Sequence, residues 1–330
     1  MTKIRYLLVG LTGVSASWCT AGSAYAQHYV RSFGIAALTV GLFAGQAAAS
    51  NDKSYLKVGT AGACTISDPC GSLSTAFAQT NTNGVITFLD SGDYVDPITI
   101  NKSVTFDGTG TSATVYRLVV DGPGVTLTIR GLHFWGAGGE VGIDFQNGAA
   151  LIIEDSTLRH YLKAVNFAPA TAARLFVRDV LVSESGSGSI GGGIVVAPRS
   201  GGSAQVILER ATVVKSVFGM VADGTSSSAG INMTIWDSVS SGNLNDGIIA
   251  VTQSGGAPIG VMVTSTKSVN NRFGIRSVGP NVTVRVNSSD LIGNDNGLVF
   301  SGGGALLTFG NNAVRANAVD GAFSGPVTLQ

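Results

Sequence analysis

Apolar and variable residues alternate in short stretches that recur along most of the chain. In each stretch the first and third residues are apolar, and this period of two predicts a strand with one buried face. The clearest pair is VMVTS at 261–265 and VRVNS at 284–288. The stretches begin at Leu151, Leu175, Val206, Met233, Val261, Val284 and Leu307. Their spacing of 23 to 31 residues is typical of a solenoid in which each repeat forms one coil.

A polar column accompanies the apolar one. Ten residues after the start of each of the last four stretches stands an asparagine, and a glycine follows three or four residues later. Asparagine tolerates the left-handed backbone of tight bends and can bond its own turn. Stacked in successive coils, these amides are predicted to form a ladder with a structural rather than a catalytic role. The ladder residues are Asn243, Asn271, Asn294 and Asn317.

The order of strand, asparagine bend, glycine and strand resembles the right-handed parallel β-helix proteins of the pectin-lyase-like superfamily, from about Tyr55 onward. The resemblance implies an all-β solenoid closed at its start by a short N-terminal cap helix. Ser72 is the predicted N-cap of that helix. Leu73, Ala76 and Phe77 fall at helical spacing and are expected to cover the first coil. Because this fold carries lyases, hydrolases, adhesins and proteins without catalytic activity, it does not by itself fix the chemistry.

Residues 1–49 hold two tandem segments with the layout of a secretion signal: positive charge, an apolar stretch, and small residues before a cleavage site. Both apolar stretches are too short to span a bilayer comfortably. Either the true start is Val30, or the first segment is cleaved and the second remains as a leader. Both accounts predict an exported bacterial protein that is secreted, periplasmic or on the cell surface, with no transmembrane span in the mature chain.

After this leader the chain keeps two cysteines, Cys64 and Cys70, which form an even pair in an exported protein. A zinc site would need further ligands, and neither His133 nor His160 lies near the pair in sequence. The cysteines are therefore predicted to form a structural disulfide. We assign them to a cap region at 50–84 and the β-helix to the rest of the chain, 85–330.

The charge composition limits the classes of partner that this protein could bind. Only 12% of residues are charged and the formal net charge is zero, so we expect no nucleic-acid partner. No motif predicts a cofactor. The segment 294–297, NDNG, resembles part of a calcium loop but lacks the downstream acidic ligand, so no metal site is expected.

One solvent-facing column could carry chemistry. Three places after the starts stand Glu154, Arg178, Glu209 and Trp236. Glu154 and Glu209 would lie two coils apart, roughly 10 Å, near the upper end of the separation that an inverting glycosidase uses for its carboxylates. Arg178 and Trp236 are the candidate residues for binding an acidic or neutral sugar. The alternative is an alternating-charge ladder on a solvated face beside a lone exposed tryptophan.

Enzyme patterns known on this fold are not met. A polygalacturonase-like site would need three polar motifs on successive coils, and none is present in the sequence. A pectate-lyase-like site would need clustered aspartates for calcium, and Arg210 interrupts the column of Asp155, Asp179 and Asp237. We therefore expect a binding or structural role at the cell envelope or on extracellular polysaccharide. The alternative function is a polysaccharide-cleaving glycoside hydrolase or lyase that uses the carboxylates of the outward face.

The last residues, 326–330, follow the coil that begins at Leu307 without an amphipathic helix to cover it. An uncovered coil exposes apolar side chains and unpaired strand edges. One expectation is that self-association or a partner protects this end. The other is that the last strand folds back across the end as its own cap.

Overall fold

The computed structural model describes residues 51–328, and the two leader segments lie outside them. The described chain winds into a right-handed parallel β-helix of three sheets, with a single helix at its start. This confirms the predicted fold class. Nine complete coils, each passing through sheets 1, 2 and 3 in turn, are followed by a partial tenth.

All strands within a sheet are parallel, and neighbours in each list are hydrogen-bonded. Sheet 1 comprises Asn51–Leu56, Thr80–Phe88, Val104–Asp107, Thr126–Arg130, Ala150–Glu154, Ala172–Arg178, Ser203–Glu209, Ile231–Trp236, Ile259–Thr264, Val282–Asn287, Ala305–Thr308 and Gly325–Pro326. Sheet 2 comprises Asp93–Tyr94, Thr114–Val115, His133–Trp135, Thr157–Arg159, Leu181–Ser183, Thr212–Val214, Val239–Ser241, Lys267–Val269, Asp290–Ile292 and Ala313–Arg315. Sheet 3 comprises Ile98–Ile100, Leu118–Asp121, Val141–Asn147, Lys163–Phe167, Gly192–Val196, Met220–Asp223, Asp246–Val251, Phe273–Val278 and Asn296–Ser301.

The apolar starts of the repeats stack in one buried column of sheet 1. Six of the seven predicted starts pair in succession, from Leu151 to Val284. The seventh prediction is wrong by one residue, since Leu306 stacks on Val284 and is fully buried while Leu307 pairs with Arg285. In the segment 305–309, ALLTF, either alternating set of residues is apolar enough to face the core. The alternation alone therefore does not set the register there.

The asparagine column lies in the bends between sheets 2 and 3. The Nδ2 group of Asn243 donates to Oδ1 of Asn271 at 2.9 Å, and that of Asn271 donates to Oδ1 of Asn294 at 3.1 Å. The column continues from Asn294 to Asn317 at 2.9 Å. Each acceptor oxygen also receives the backbone N–H of the asparagine one coil earlier, at 2.9 to 3.0 Å. The first three members are buried, so the amides satisfy bend N–H groups that no strand reaches.

The backbone of these bends differs from the sequence-based account. The left-handed residue is the one before each ladder asparagine, with φ of 57° at Asn270 and 72° at Gly293, and not the ladder asparagine itself. The glycine that follows each bend serves close approach: a Cβ at Gly274 would lie 2.5 Å from the carbonyl oxygen of Gly297. The asparagine therefore stands in the column for its amide and not for its φ angle.

A second ladder, which the sequence analysis missed, lies in the bends between sheets 1 and 2. The backbone N–H of Ser238 donates to Oγ1 of Thr266 at 3.4 Å, and that of Thr266 donates to Oγ of Ser289 at 3.1 Å. The N–H of Ser289 in turn donates to Oδ1 of Asn312 at 2.9 Å. Small polar side chains thus satisfy these bends as the asparagines satisfy the others.

The N-terminal end is closed by the helix Leu73–Gln79. The Ser72 side chain accepts the N–H of Thr75 at 3.3 Å and caps it, as predicted. Leu73 and Ala76 are fully buried, and Phe77 packs against the core. The strand Asn51–Leu56 belongs to sheet 1, so the sheet already begins within the stretch assigned to the cap.

The two cysteines of the cap form a disulfide in the loop between its strand and helix. Cys64 and Cys70 are both buried and bonded to each other. The backbone N–H of Tyr55 donates to the Cys64 carbonyl at 2.9 Å, and the N–H of Lys57 donates to the Cys70 carbonyl at 2.9 Å. The crosslink therefore holds the loop against the first strand of sheet 1.

At the other end of the solenoid the last described segment turns back onto the final coil. Gly325–Pro326 pairs with Leu307 and Thr308 as the outermost strand of sheet 1, and Phe323 packs against the core. This strand extends sheet 1 and does not cross the end of the coil as the second expectation had it, and self-association at this end stays a prediction. Proline on the outer strand also removes one N–H from the exposed edge, which disfavours pairing with another chain.

Asn271→Ala should lower the free energy of unfolding by about 1–3 kcal/mol, because it leaves buried bend groups on two coils without partners. Asn232→Ala is the matched control, since Asn232 is an exposed residue of a sheet 1 strand. Urea unfolding of both variants measures the difference. Equal stability of Asn271→Ala and the wild-type protein would contradict a supporting role for the ladder.

Candidate ligand-binding face of sheet 1

The outward face of sheet 1 carries the candidate column. Its register brings Glu154, Arg178, Glu209 and Trp236 onto four successive coils. Arg130 extends the column one coil before Glu154. The two glutamates are thus two coils apart, with an arginine between them.

Glu154 is held by the arginines on either side of it. Arg130 Nε donates to its Oε2 at 2.8 Å, and Arg178 Nη2 donates to its Oε1 at 2.6 Å. The glutamate is only 8% exposed. Both oxygens of Glu154 therefore accept hydrogen bonds from arginines, and the carboxylate has little access to solvent.

Glu209 is also paired. Arg210 contacts it and reaches back to the preceding coil, where its Nε and Nη2 donate to the two oxygens of Asp179 at 2.7 and 2.8 Å. The Arg210 guanidinium holds the pKa of Asp179 below its usual range, mainly through these hydrogen bonds. Arg178 lies 3.9 Å from Asp179, so the ion pairs join into one network. This part of the face is an alternating-charge ladder.

The aspartates that follow each strand have a backbone role. Asp155, Asp179 and Asp237 adopt φ of 48°, 54° and 48°, in the left-handed region that turns the chain from sheet 1 to sheet 2. Aspartate is favoured over most residues there because its short polar side chain tolerates that conformation. Among residues 51–328, no group of three or more histidine, cysteine or acidic side chains is arranged to hold a metal ion.

Beyond the ion pairs the same face opens into a groove of about 400 Å³. Gln205, Asn232 and Arg285 supply amide and guanidinium groups, and Met262 an apolar wall. Gly260 lies among these residues and fills none of the space above its strand. A Cβ at Gly260 would meet only Oδ1 of Asn232, at 3.3 Å.

Trp236 ends the column that begins at Arg130, on the coil after Glu209. Its strand also carries Asn232, and its side chain is 48% exposed. An exposed aromatic ring and the amide and guanidinium donors of the groove thus share one face of sheet 1. The candidate catalytic carboxylates of the same face are paired with arginines.

Trp236 was predicted from the sequence, whereas the groove was not. The available signal was Gly260, a glycine between two buried residues of a regular strand, Ile259 and Val261. Glycine at such a position often marks a close approach of ligand or backbone. The groove also depends on Gln205 and Arg285, which lie 80 residues apart in sequence and come together only by stacking.

A buried ion pair on sheet 3 was also missed. Asp246 is fully buried, and Arg276 on the next coil donates Nε to its Oδ1 at 2.6 Å and Nη2 to its Oδ2 at 2.5 Å. Arg276 also lies over the ring of Phe273, 4.6 Å from its centroid. Burial raises the pKa of Asp246 to about 6, although Arg276 opposes this shift.

Comparison by sequence finds no protein-family profile and no curated protein that matches this chain. Comparison of folds finds a solved pectate lyase, Pel9A, with a TM-score of 0.39 and 14% sequence identity. The match covers 82% of this chain and 80% of that one. In the part of the chain that the structure describes, no helix is both long and apolar enough to cross a membrane.

Asp246→Asn should change how stability depends on pH. The pKa of Asp246 in the folded protein lies above its unfolded value near 3.9. Its contribution to the free energy of unfolding is therefore fully present below pH 4 and is lost as the pH rises through 6. At about 1.4 kcal/mol per pKa unit, the loss amounts to roughly 2–3 kcal/mol. Urea unfolding at pH 4, 5, 6 and 7 should show this decline in the wild-type protein and not in Asp246→Asn.

Asp295→Asn is the matched control, because Asp295 is an exposed aspartate at the ladder bend two coils further along. It should keep the wild-type slope. Identical slopes in all three proteins would contradict the raised pKa of Asp246.

Proposed function

We propose that this protein is an exported β-helix protein that binds polysaccharide, at the cell envelope or outside the cell, through the outward face of sheet 1. The observation that carries the proposal is that the exposed Trp236 shares the outward face of its strand with Asn232 and Thr234, which line the groove. The groove is open to solvent.

Sugar rings suit this surface for two reasons. Their C–H faces are apolar and stack on an indole ring, which loses little conformational freedom on binding. Their hydroxyl groups both donate and accept, so they match the amides of Gln205 and Asn232. The Arg285 guanidinium donates hydrogen bonds and accepts none, so it favours oxygen acceptors of a ligand over ligand N–H groups.

Binding is favoured over cleavage by the state of the carboxylates. Glu154 has both oxygens engaged by arginines, and Glu209 is paired with Arg210. Cleavage through two carboxylates would require one to donate a proton and the other to attack or to activate water. Either step would first have to break part of the ion-pair network.

Export is supported by two features. The segments at 1–49 have the layout of secretion signals. The bond between Cys64 and Cys70 suits an oxidising compartment.

Trp236→Ala and Gly260→Val test the binding face by different means. The first removes the stacking surface. The second fills the groove with a residue that strands favour, at a position where the added Cβ meets no backbone. Affinity electrophoresis through gels containing neutral or acidic polysaccharides should show roughly tenfold weaker binding for both variants. Leu244→Ala is the control, because Leu244 is a solvent-facing apolar residue in a bend, 71% exposed.

The same polysaccharides, incubated with the protein, test the enzymatic alternative. We expect no new reducing ends and no unsaturated products. Release of products that is lost in Glu154→Gln and Glu209→Gln would overturn the proposal in favour of catalysis. Binding that Trp236→Ala and Gly260→Val leave unchanged would show that the sheet 1 face is not the binding surface.

A further inference from the structure

A second exposed tryptophan lies on a different sheet. Trp135 ends the strand His133–Trp135 of sheet 2, four coils before Trp236, and is 60% exposed. Few large apolar side chains in the described chain are so exposed. Its surroundings are therefore of interest.

Trp135 stands between two hollows that share it as a wall. One has a volume of about 420 Å³ and is lined by His133, Thr157 and Arg159 among others. The other, of about 260 Å³, is lined by Asp93 and Tyr116. The ring thus projects between two open spaces, as required of a platform that a ligand passes over.

The stacking of coils aligns these groups along the solenoid axis. Trp135 pairs with Arg159 on the next coil, while His133 pairs with Thr114 on the coil before. Equivalent positions on neighbouring coils are about 4.8 Å apart. A ligand made of repeating units could therefore meet Tyr116, Trp135 and Arg159 in succession.

The polar groups beside the ring offer both donors and acceptors. Nδ1 of His133 is 2.6 Å from Oγ1 of Thr157, which leaves the other ring nitrogen of His133 outside that hydrogen bond. Arg159 lies 5.4 Å from the centre of the Trp135 ring and also contacts Glu184 at 3.4 Å. Asp93 brings a negative charge to the opposite side. Arg159 is paired with Glu184 and Asp93 adds a further negative charge, so these groups provide no net attraction for an anionic chain.

We propose that the sheet 2 face around Trp135 is a second ligand site, which binds a neutral saccharide chain lying along the solenoid axis. The sugar rings stack on Trp135 and Tyr116. Their hydroxyl groups bond to His133, Arg159 and Asp93. This site is separate from the sheet 1 groove and does not depend on it, and the two together would let one molecule hold two chains.

The three tryptophans make the test specific. Trp18→Phe combined with Trp236→Phe leaves Trp135 as the sole tryptophan, so fluorescence then reports on this site alone. Cellohexaose, xylohexaose and mannohexaose are the neutral probes, and hexagalacturonate is the acidic one. We expect a saturable change in emission with at least one neutral probe and none with hexagalacturonate.

Variants then separate this site from the sheet 1 groove. Thr157→Val in the single-tryptophan protein removes the hydroxyl that orients His133 and should weaken binding several-fold, whereas Gly260→Val in the same protein should leave the titration unchanged. In the otherwise wild-type protein, Trp135→Ala should weaken binding of the same probe roughly tenfold at this site, measured by calorimetry. Thermal unfolding of Trp135→Ala is expected to match the wild type, since the side chain is largely exposed.

Three results would overturn the proposal: no saturable change with any neutral probe, a response to hexagalacturonate alone, or a response abolished by Gly260→Val. The last would mean that the sheet 1 groove binds the sugar and that Trp135 only senses it. If no polysaccharide binds through the sheet 1 face but the Trp135 emission still responds to a neutral probe, the proposed function is refuted and the Trp135 site is retained.

Discussion

The structure depends on one constraint: every coil must lie in register on the coil before it. The main-chain hydrogen bonds of parallel strands fix that register, and each residue then sits directly over its equivalent. Inside, the rule produces apolar columns such as the one from Leu151 to Val284. At the bends it leaves buried N–H groups that no strand can pair. Side chains from the next coil, including Asn271 and Thr266, accept hydrogen bonds from those N–H groups.

The same register governs the outside of the solenoid. Side chains on neighbouring coils are so close that like charges would repel along a column. The run of Arg130, Glu154 and Arg178 avoids this by alternating sign, and each carboxylate oxygen is used in doing so. Charged side chains that are paired across coils are less available to act as catalytic groups. Ligand chemistry is therefore to be sought where a column is interrupted, as at Gly260 and Trp236.

Interrupted stacking also explains the ends of the molecule. A coil with no neighbour exposes its core, and the chain covers the first coil with the helix Leu73–Gln79. At the far end the short strand Gly325–Pro326 continues sheet 1, and Phe323 packs on the core beneath it. The two solutions differ because a helix covers the cross-section of the coil, whereas a proline-bearing strand only extends one sheet and blunts its edge.

The sequence alone determined the strands, their period, the column of ladder asparagines and the cap helix, because each follows from the regular spacing of residue types along the chain. It placed Glu154 and Glu209 on one face but could not show that arginines hold them. It missed the pairing of Asp246 with Arg276, 30 residues away, and the groove formed by Gln205, Gly260 and Arg285. It also misplaced Leu307, where both phases are apolar. These were decided by stacking, since the length of every intervening bend sets which side chains meet across coils.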